Sequence, residues 1–165
     1  MSSHENTHLK DELTQKIGVL MRRETEVRIL IPFLQDLYEE FSKEKILNVL
    51  EKTIKEIAKT QGEELSKEYG NNVDAFIDTL KFWTKDNALE IDILEKSESK
   101  LSFNVTRCKY AEMYNALGGS DLGAVLSCNR DAALIKGFNS NASLERKDTI
   151  MSGHKYCTFR YTFKN

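Results

Sequence analysis

Apolar residues recur at helical spacing through the first half of the chain and at a spacing of two in parts of the second. Leu9, Leu13, Ile17, Leu20 and Met21 form one stripe, and after Glu24 a second runs through Val27, Leu30, Phe33, Leu34, Leu37, Tyr38 and Phe41. Stripes of this period are the faces that amphipathic helices bury. Pro32 is the only proline; it lacks an N–H and crowds the preceding turn, so a kink or break is expected there. Ser42 is placed to N-cap a long helix carrying Ile46, Val49, Leu50, Ile54, Ile57, Ala58 and Leu65, with Gly70 where helices often end in a left-handed residue. Asn72 can cap a fourth helix that buries Val73, Phe76, Ile77, Leu80 and Trp83.

Beyond Asn87 the period becomes two. Leu89, Ile91 and Ile93 alternate with Glu90 and Asp92, and Leu101, Phe103 and Val105 alternate with Ser102, Asn104 and Thr106, which predicts a hairpin turning at residues 96–100. A helix from Lys109 to Leu117 should stop at Gly118-Gly119, and Ser120 or Asp121 should cap another that stops at Gly137. Two further strands are expected around Leu144–Met151 and Tyr156–Phe163. On the last, Cys157, Phe159, Tyr161 and Phe163 share a face, most simply the core face. The order predicts an α+β fold: N-terminal amphipathic helices packed with an antiparallel sheet of two hairpins separated by a helix pair. One domain spans 1–165, mainly helical over 1–86, with the sheet, helix pair and chemistry-bearing residues over 87–165.

Composition narrows the function classes. With 40% hydrophobic and 30% charged residues the chain reads as globular. Residues 1–100 hold 15 Lys and Arg against 21 Asp and Glu, and residues 101–165 hold 9 against 5. That slight, unclustered positive excess favours a small anionic substrate and argues against nucleic acid. The polar start MSSHENTH lacks a signal-like apolar region and no stretch is long and apolar enough to span a membrane, so a cytoplasmic, membrane-free protein is expected. The stripes of residues 9–69 offer a surface for a homo-oligomer.

Cys108, Cys128 and Cys157 are odd in number and widely spaced, which suits reduced thiols better than a disulfide framework. Cys108 and Glu112 are four apart at the start of one helix, and Cys128 and Asp131 three apart on the next, so each pair projects a thiol and a carboxylate from one face. A carboxylate in a pocket can act as general base or, with a raised pKa, as an acid. Cysteine also packs commonly as a small hydrophobe. Cys128-Asn129-Arg130-Asp131, however, interrupts an otherwise apolar helix, and such a polar cluster needs partners or a ligand. A self-contained Arg130–Asp131 network is the plainer reading. Arg130 can bind a carboxylate bidentately, as can Arg107, Arg146 or Arg160. His154 lies in a turn, where solvent exposure is the common outcome, but it precedes Cys157 by three and can act on a thiol as acid or base. No cofactor is required; zinc has enough donors, yet no short-range CxxC or HxxxH pair supports it, and no metal ligand is assigned.

The segments CKYAEMYNALGGSDLGAVLSCNRDAALIKGFN and LERKDTIMSGHKYCTFRY resemble the signature of the L-2-amino-thiazoline-4-carboxylic acid hydrolase family. The motifs cover about the last 60 residues and place Cys108, Glu112, Gly118, Cys128, Arg130, Asp131, Gly137, Phe138, Thr149, Gly153 and Cys157 at motif positions. Ser140 stands where the pattern commonly has proline after GFN, and Thr158 where an acidic residue or His commonly follows the last cysteine. The resemblance implies a hydrolase that opens a 2-aminothiazoline ring to N-carbamoyl-cysteine. Asp131, Glu112 or His154 would then move protons, Cys128 would act as nucleophile or polar site group, and Arg130, Cys108, Thr149 and Cys157 would contact substrate. The alternatives are a small-molecule-binding or sensor module without turnover, and a helix-mediated interaction protein.

Overall fold

The computed structural model describes residues 10–164, so Leu9 and the whole of the polar start MSSHENTH lie outside it. The first break comes at Gly18, not near Glu24. A short helix α1 (Leu13–Ile17) is closed by the Gly18 N–H donating to the Thr14 carbonyl at 2.9 Å, and α2 (Val19–Glu40) starts immediately after. Gly18 has φ +78°, a left-handed conformation that glycine adopts without the Cβ penalty. Helix α2 does not break at Pro32. The proline lies on the exposed side of the helix, where water can serve the carbonyl it leaves unpaired, while Val27, Ile31 and Leu34 face the core.

Helices α3 (Lys43–Tyr69) and α4 (Val73–Thr84) begin as their sequences predict. The Ser42 hydroxyl accepts from the Lys45 N–H at 3.5 Å and Asn72 Oδ1 accepts from the Ala75 N–H at 2.9 Å. Gly70 follows α3 with φ +99°. A 3₁₀ turn over Lys85–Asn87 then leads into β1 (Leu89–Lys96), which pairs antiparallel with β2 (Lys100–Cys108). Strand β1 is an edge. Its outer half is exposed, Ile93 to 55%, so the alternation seen in its sequence marks a pleat but not a fully buried face.

After β2 come α5 (Lys109–Ala116), α6 (Ser120–Gly123), a π turn over Ala124–Cys128 and α7 (Arg130–Phe138). Gly118, at φ +71°, ends α5. Neither Ser120 nor Asp121 caps the next helix through its side chain: Ser120 Oγ donates to Asn115 Oδ1 and Asp121 pairs with Lys43 at 2.7 Å. Gly137 does not stop α7 either. It lies within the helix, where an added Cβ would sit 1.9 Å from the Lys59 carbonyl oxygen of α3, and a Cβ on Gly62 of α3 would sit 2.1 Å from the Leu134 carbonyl oxygen of α7. Two glycines facing opposite ways thus let the backbones of α3 and α7 approach closely.

The last hairpin is shorter than its sequence pattern. Strand β3 (Ala142–Glu145) pairs with β4 (Cys157–Phe163), and the sheet order is β1-β2-β4-β3, antiparallel throughout. Pairing stops at Glu145 because Arg146 turns inward and the Thr158 hydroxyl accepts the N–H groups of Lys147 and Asp148 at 3.0 and 3.1 Å. Thr149 then caps a 3₁₀ turn over Ile150–Ser152. The fold is α+β. On its core face β4 sends Cys157, Phe159, Tyr161 and Phe163 against β2 and the helices. Phe76 of α4 meets Phe138 and Tyr161 edge-on at ring separations of 5.1 and 4.9 Å, contacts worth about 0.5–1.5 kcal/mol each beyond area burial. Ile29, Phe33 and Val49 of the N-terminal helices remain exposed. Among the described residues no helix is long and apolar enough to cross a membrane.

Candidate functional site

Between the N-terminal helices, the sheet and the start of α7 lies a cavity of about 120 Å³. An apolar void of roughly 150 Å³ holds benzene, and this cavity is of the same order. Trp83, Leu89, Val105, Leu134 and Phe159 supply apolar walls, and the thiols of Cys108, Cys128 and Cys157 all line it. Its polar wall is made by Arg22, Arg23, Arg130, Asp131 and Arg146.

Helix α7 supplies the centre of this wall. The π turn before it is marked by the Asn129 N–H donating to the Ala124 carbonyl at 2.8 Å, one residue wider than an α-turn. Ser127 Oγ bonds the Tyr114 hydroxyl at 2.9 Å and fixes the turn against α5. Cys157 and Phe159 reach the cavity through the alternation of β4, and Cys108 stands where β2 passes into α5.

Asp131 and Arg146 form a mostly buried ion pair, their side chains 19% and 13% exposed. Burial pushes the Asp131 carboxyl above its ordinary range, and the Arg146 and Arg130 charges only partly counter that. Arg130 is 6% exposed; its Nη2 donates to Gln61 Oε1 at 2.6 Å, and it pairs with no described carboxylate. Burial, with the neighbouring Arg23 charge, brings its pKa down to about 10. Arg23 is 4% exposed and donates through Nη1 to Glu26, a carboxylate it shares with Arg22 at 2.9 Å. Arg22 also holds Asp11 at 2.8 Å. Around the wall, Arg22, Arg23, Arg130 and Arg146 therefore face Asp11, Glu26 and Asp131, with Glu64 at the exposed rim. One positive charge is left over in the interior.

The three thiols are not activated. Burial raises Cys108 to about 11 and Cys128 to about 12, and raises Cys157 as well. Near neutral pH a thiol of pKa about 12 is ionised to only about one part in 10⁵.

The sequence candidates divide by place. Cys108, Cys128, Arg130, Asp131 and Cys157 line the cavity together. Glu112 does not: it lies on the outer side of α5, paired with Arg107 at 2.9 Å, whose hydrogen bond lowers its pKa. His154 is half-exposed, with Nε2 3.4 Å from Asp148 and Nδ1 3.3 Å from Ser152 Oγ, and Thr149 is engaged in its cap. Arg23, Gln61 and Gln15 were missed. For Arg23 a signal exists, since it stands four residues before Val27 on the stripe that α2 buries. A polar residue such as Gln15 or Gln61 on a helix carries no such mark. Among the described residues no three His, Cys, Asp or Glu side chains converge to hold a metal ion.

A family model described as L-2-amino-thiazoline-4-carboxylic acid hydrolase matches residues 22–161. The chain belongs to this family. In this L-2-amino-thiazoline-4-carboxylic acid hydrolase family member, the motif residues Cys108, Cys128, Arg130, Asp131 and Cys157 surround the cavity, whereas Gly137 and Phe138 serve packing. Thr158, at a departure from the motif, is spent on the loop after β3. No curated protein matches the chain. Among solved structures, it is similar to a trafficking protein particle complex subunit 3 from Naegleria fowleri, covalently bound to palmitic acid. Identity is 13% over 88% of this chain and 96% of that one, with a TM-score of 0.49.

Proposed function

We propose that the chain hydrolyses a small carboxylate-bearing heterocycle of the 2-amino-thiazoline-4-carboxylic acid kind, giving N-carbamoyl-cysteine. The observation that carries this is the juxtaposition, in a cavity the size of one ring, of a buried carboxyl with a raised pKa, Asp131, and a buried guanidinium without a carboxylate partner, Arg130. The leftover positive charge suits a monoanion, and Arg130 holds the substrate carboxylate. In its ionised form Asp131 takes a proton from water as the water oxygen adds to the amidine-like ring carbon. The tetrahedral intermediate then breaks its carbon–sulfur bond as the second proton of the water passes from the new hydroxyl to the former ring nitrogen, and Asp131 returns the first proton to the leaving sulfur. The water oxygen becomes the carbamoyl oxygen and both nitrogens are kept. Arg146 orients Asp131, and the three protonated thiols form a polarisable, uncharged wall for the ring sulfur.

Incubation with 2-amino-thiazoline-4-carboxylate should release one free thiol per product, with the mass of substrate plus water. Turnover should survive in Cys128→Ala. Its complete loss there, in a folded protein, would overturn the general-base route in favour of a covalent one. A second reading is favoured by the Asp131–Arg146 pair itself, because a carboxylate already held by a guanidinium suits a non-catalytic binding module. Saturable binding of the same compound without thiol release would select it.

A further inference from the structure

Two side chains that line the cavity each leave one buried polar atom without a hydrogen-bond partner among the described residues: Arg23 through Nε and Gln15 through Oε1. A water molecule can touch neither atom, so each carries an uncompensated desolvation cost, which turning the side chain toward a ligand in the cavity it lines would relieve. One is a donor and the other an acceptor, and both come from the N-terminal helices.

The segment carrying Gln15 is tied to the site. Asp11 accepts from Arg22 at 2.8 Å and from Gln61 Nε2 at 3.5 Å, and Gln61 in turn accepts from Arg130. These contacts tie the segment just before α1 to Arg22 and Gln61, beside the cavity that Gln15 lines. Residues 11–19, which add Asp11, Thr14, Gln15 and Val19 to the lining, precede Arg22, where the family match begins.

We infer that Arg23 and Gln15 are specificity-determining contacts, Arg23 sharing the ligand carboxylate with Arg130 and Gln15 accepting from a ligand N–H. The site then takes small cyclic amino-carboxylates and discriminates against the same ring without its amino group. This deepens, and rests on, the reading of the cavity as the substrate site. A site built to accept a hydrogen bond rejects a ligand lacking the donor because its own buried acceptor then stays unpaired.

The test uses two aromatic probes, 2-aminothiazole-4-carboxylate and thiazole-4-carboxylate, with dissociation constants measured by calorimetry on the full chain. The wild type should prefer the amino probe by about tenfold or more. Gln15→Leu should bring that ratio close to one while leaving the affinity for thiazole-4-carboxylate unchanged. Arg23→Lys should weaken both probes by about tenfold or more and keep their ratio, since a lysine retains the charge but not the Nε donor. A wild-type ratio retained in Gln15→Leu, unchanged affinities in Arg23→Lys, or no binding of either probe by the wild type would each overturn the inference. Should Arg23→Lys not fold, the Gln15→Leu ratio decides alone. Hydrolysis of 2-amino-thiazoline-4-carboxylate without probe discrimination would sink this inference and leave the hydrolase reading standing. Probe discrimination without hydrolysis would do the reverse.

Discussion

Cys108 with Glu112 and Cys128 with Asp131 are, along the sequence, two versions of one local device, a thiol three or four residues before a carboxylate, and the fold treats them oppositely. Both thiols are half-buried at the cavity, and desolvation there holds them protonated. The carboxylates part company: Glu112 is 53% exposed and held by an exposed arginine, whereas Asp131 is 19% exposed and held by a buried one. Spacing along a helix decides which side chains are neighbours, but which element lies over that face decides their chemistry. Helix α7 is pressed onto α3 at the Gly62–Gly137 crossing, while the Glu112 side of α5 looks outward.

The largest expected contrast is in activity. Asp131→Asn should lower kcat by about 10²–10⁴, the range associated with a positioned general base, whereas Glu112→Gln should stay within about twofold of wild type. Steady-state thiol release measures both. Equal effects would erase the functional difference between the pairs.

Next comes the crossing of α3 and α7, the helix that carries Asp131. Gly137→Ala drives a methyl into the Lys59 carbonyl and should cost about 3 kcal/mol or more in urea unfolding, at the upper end of ordinary overpacking. A loss below about 1 kcal/mol would mean that α3 and α7 separate easily.

The likeness of the two thiols can be sharpened by alkylation. With pKa values near 11 and 12, Cys108 and Cys128 should react slowly at neutral pH, with rates rising about tenfold per pH unit up to about pH 10. Mass-resolved iodoacetamide labelling reads each site, and a plateau near pH 8 at either would reveal an activated thiol.

The smallest effect separates the carboxyls by the sign of their linkage. Glu112 has a lowered folded pKa, so its contribution to stability is present at neutral pH and lost as pH falls through that value. Asp131 has a raised one, so its proton-linked contribution is present in acid and lost as pH rises through the folded pKa. Carbon-detected NMR titration of the side-chain carboxyls should move the two in opposite directions from their ordinary values.

Much of the fold was legible because it is local. The Ser42 and Asn72 caps, the left-handed Gly70 and Gly118 and the core face of β4 follow from short-range stereochemistry. The early break at Gly18, the end of β3 at Glu145 and the exposure of β1 depend on what lies across the fold: the Lys85 side chain against Gly18, Asp131 drawing in Arg146, and the place of β1 at the edge of the sheet. The same division runs through the site. An Asn-Arg-Asp run amid apolar residues announced Arg130 and Asp131, whereas Gln61 and Gln15 acquire meaning only from partners far along the chain.

The π turn at Ala124–Cys128 makes the helix carrying Asp131 longer by one residue than its axial advance requires. That surplus residue works like a shim between two gear wheels. Removing it would let an uninterrupted α-helix form, but would turn everything on one side of it by about 100° relative to the other. Ser127 could then keep its grip on Tyr114, or Asp131 its grip on Arg146, but not both, so a single codon sets the phase between scaffold and cavity.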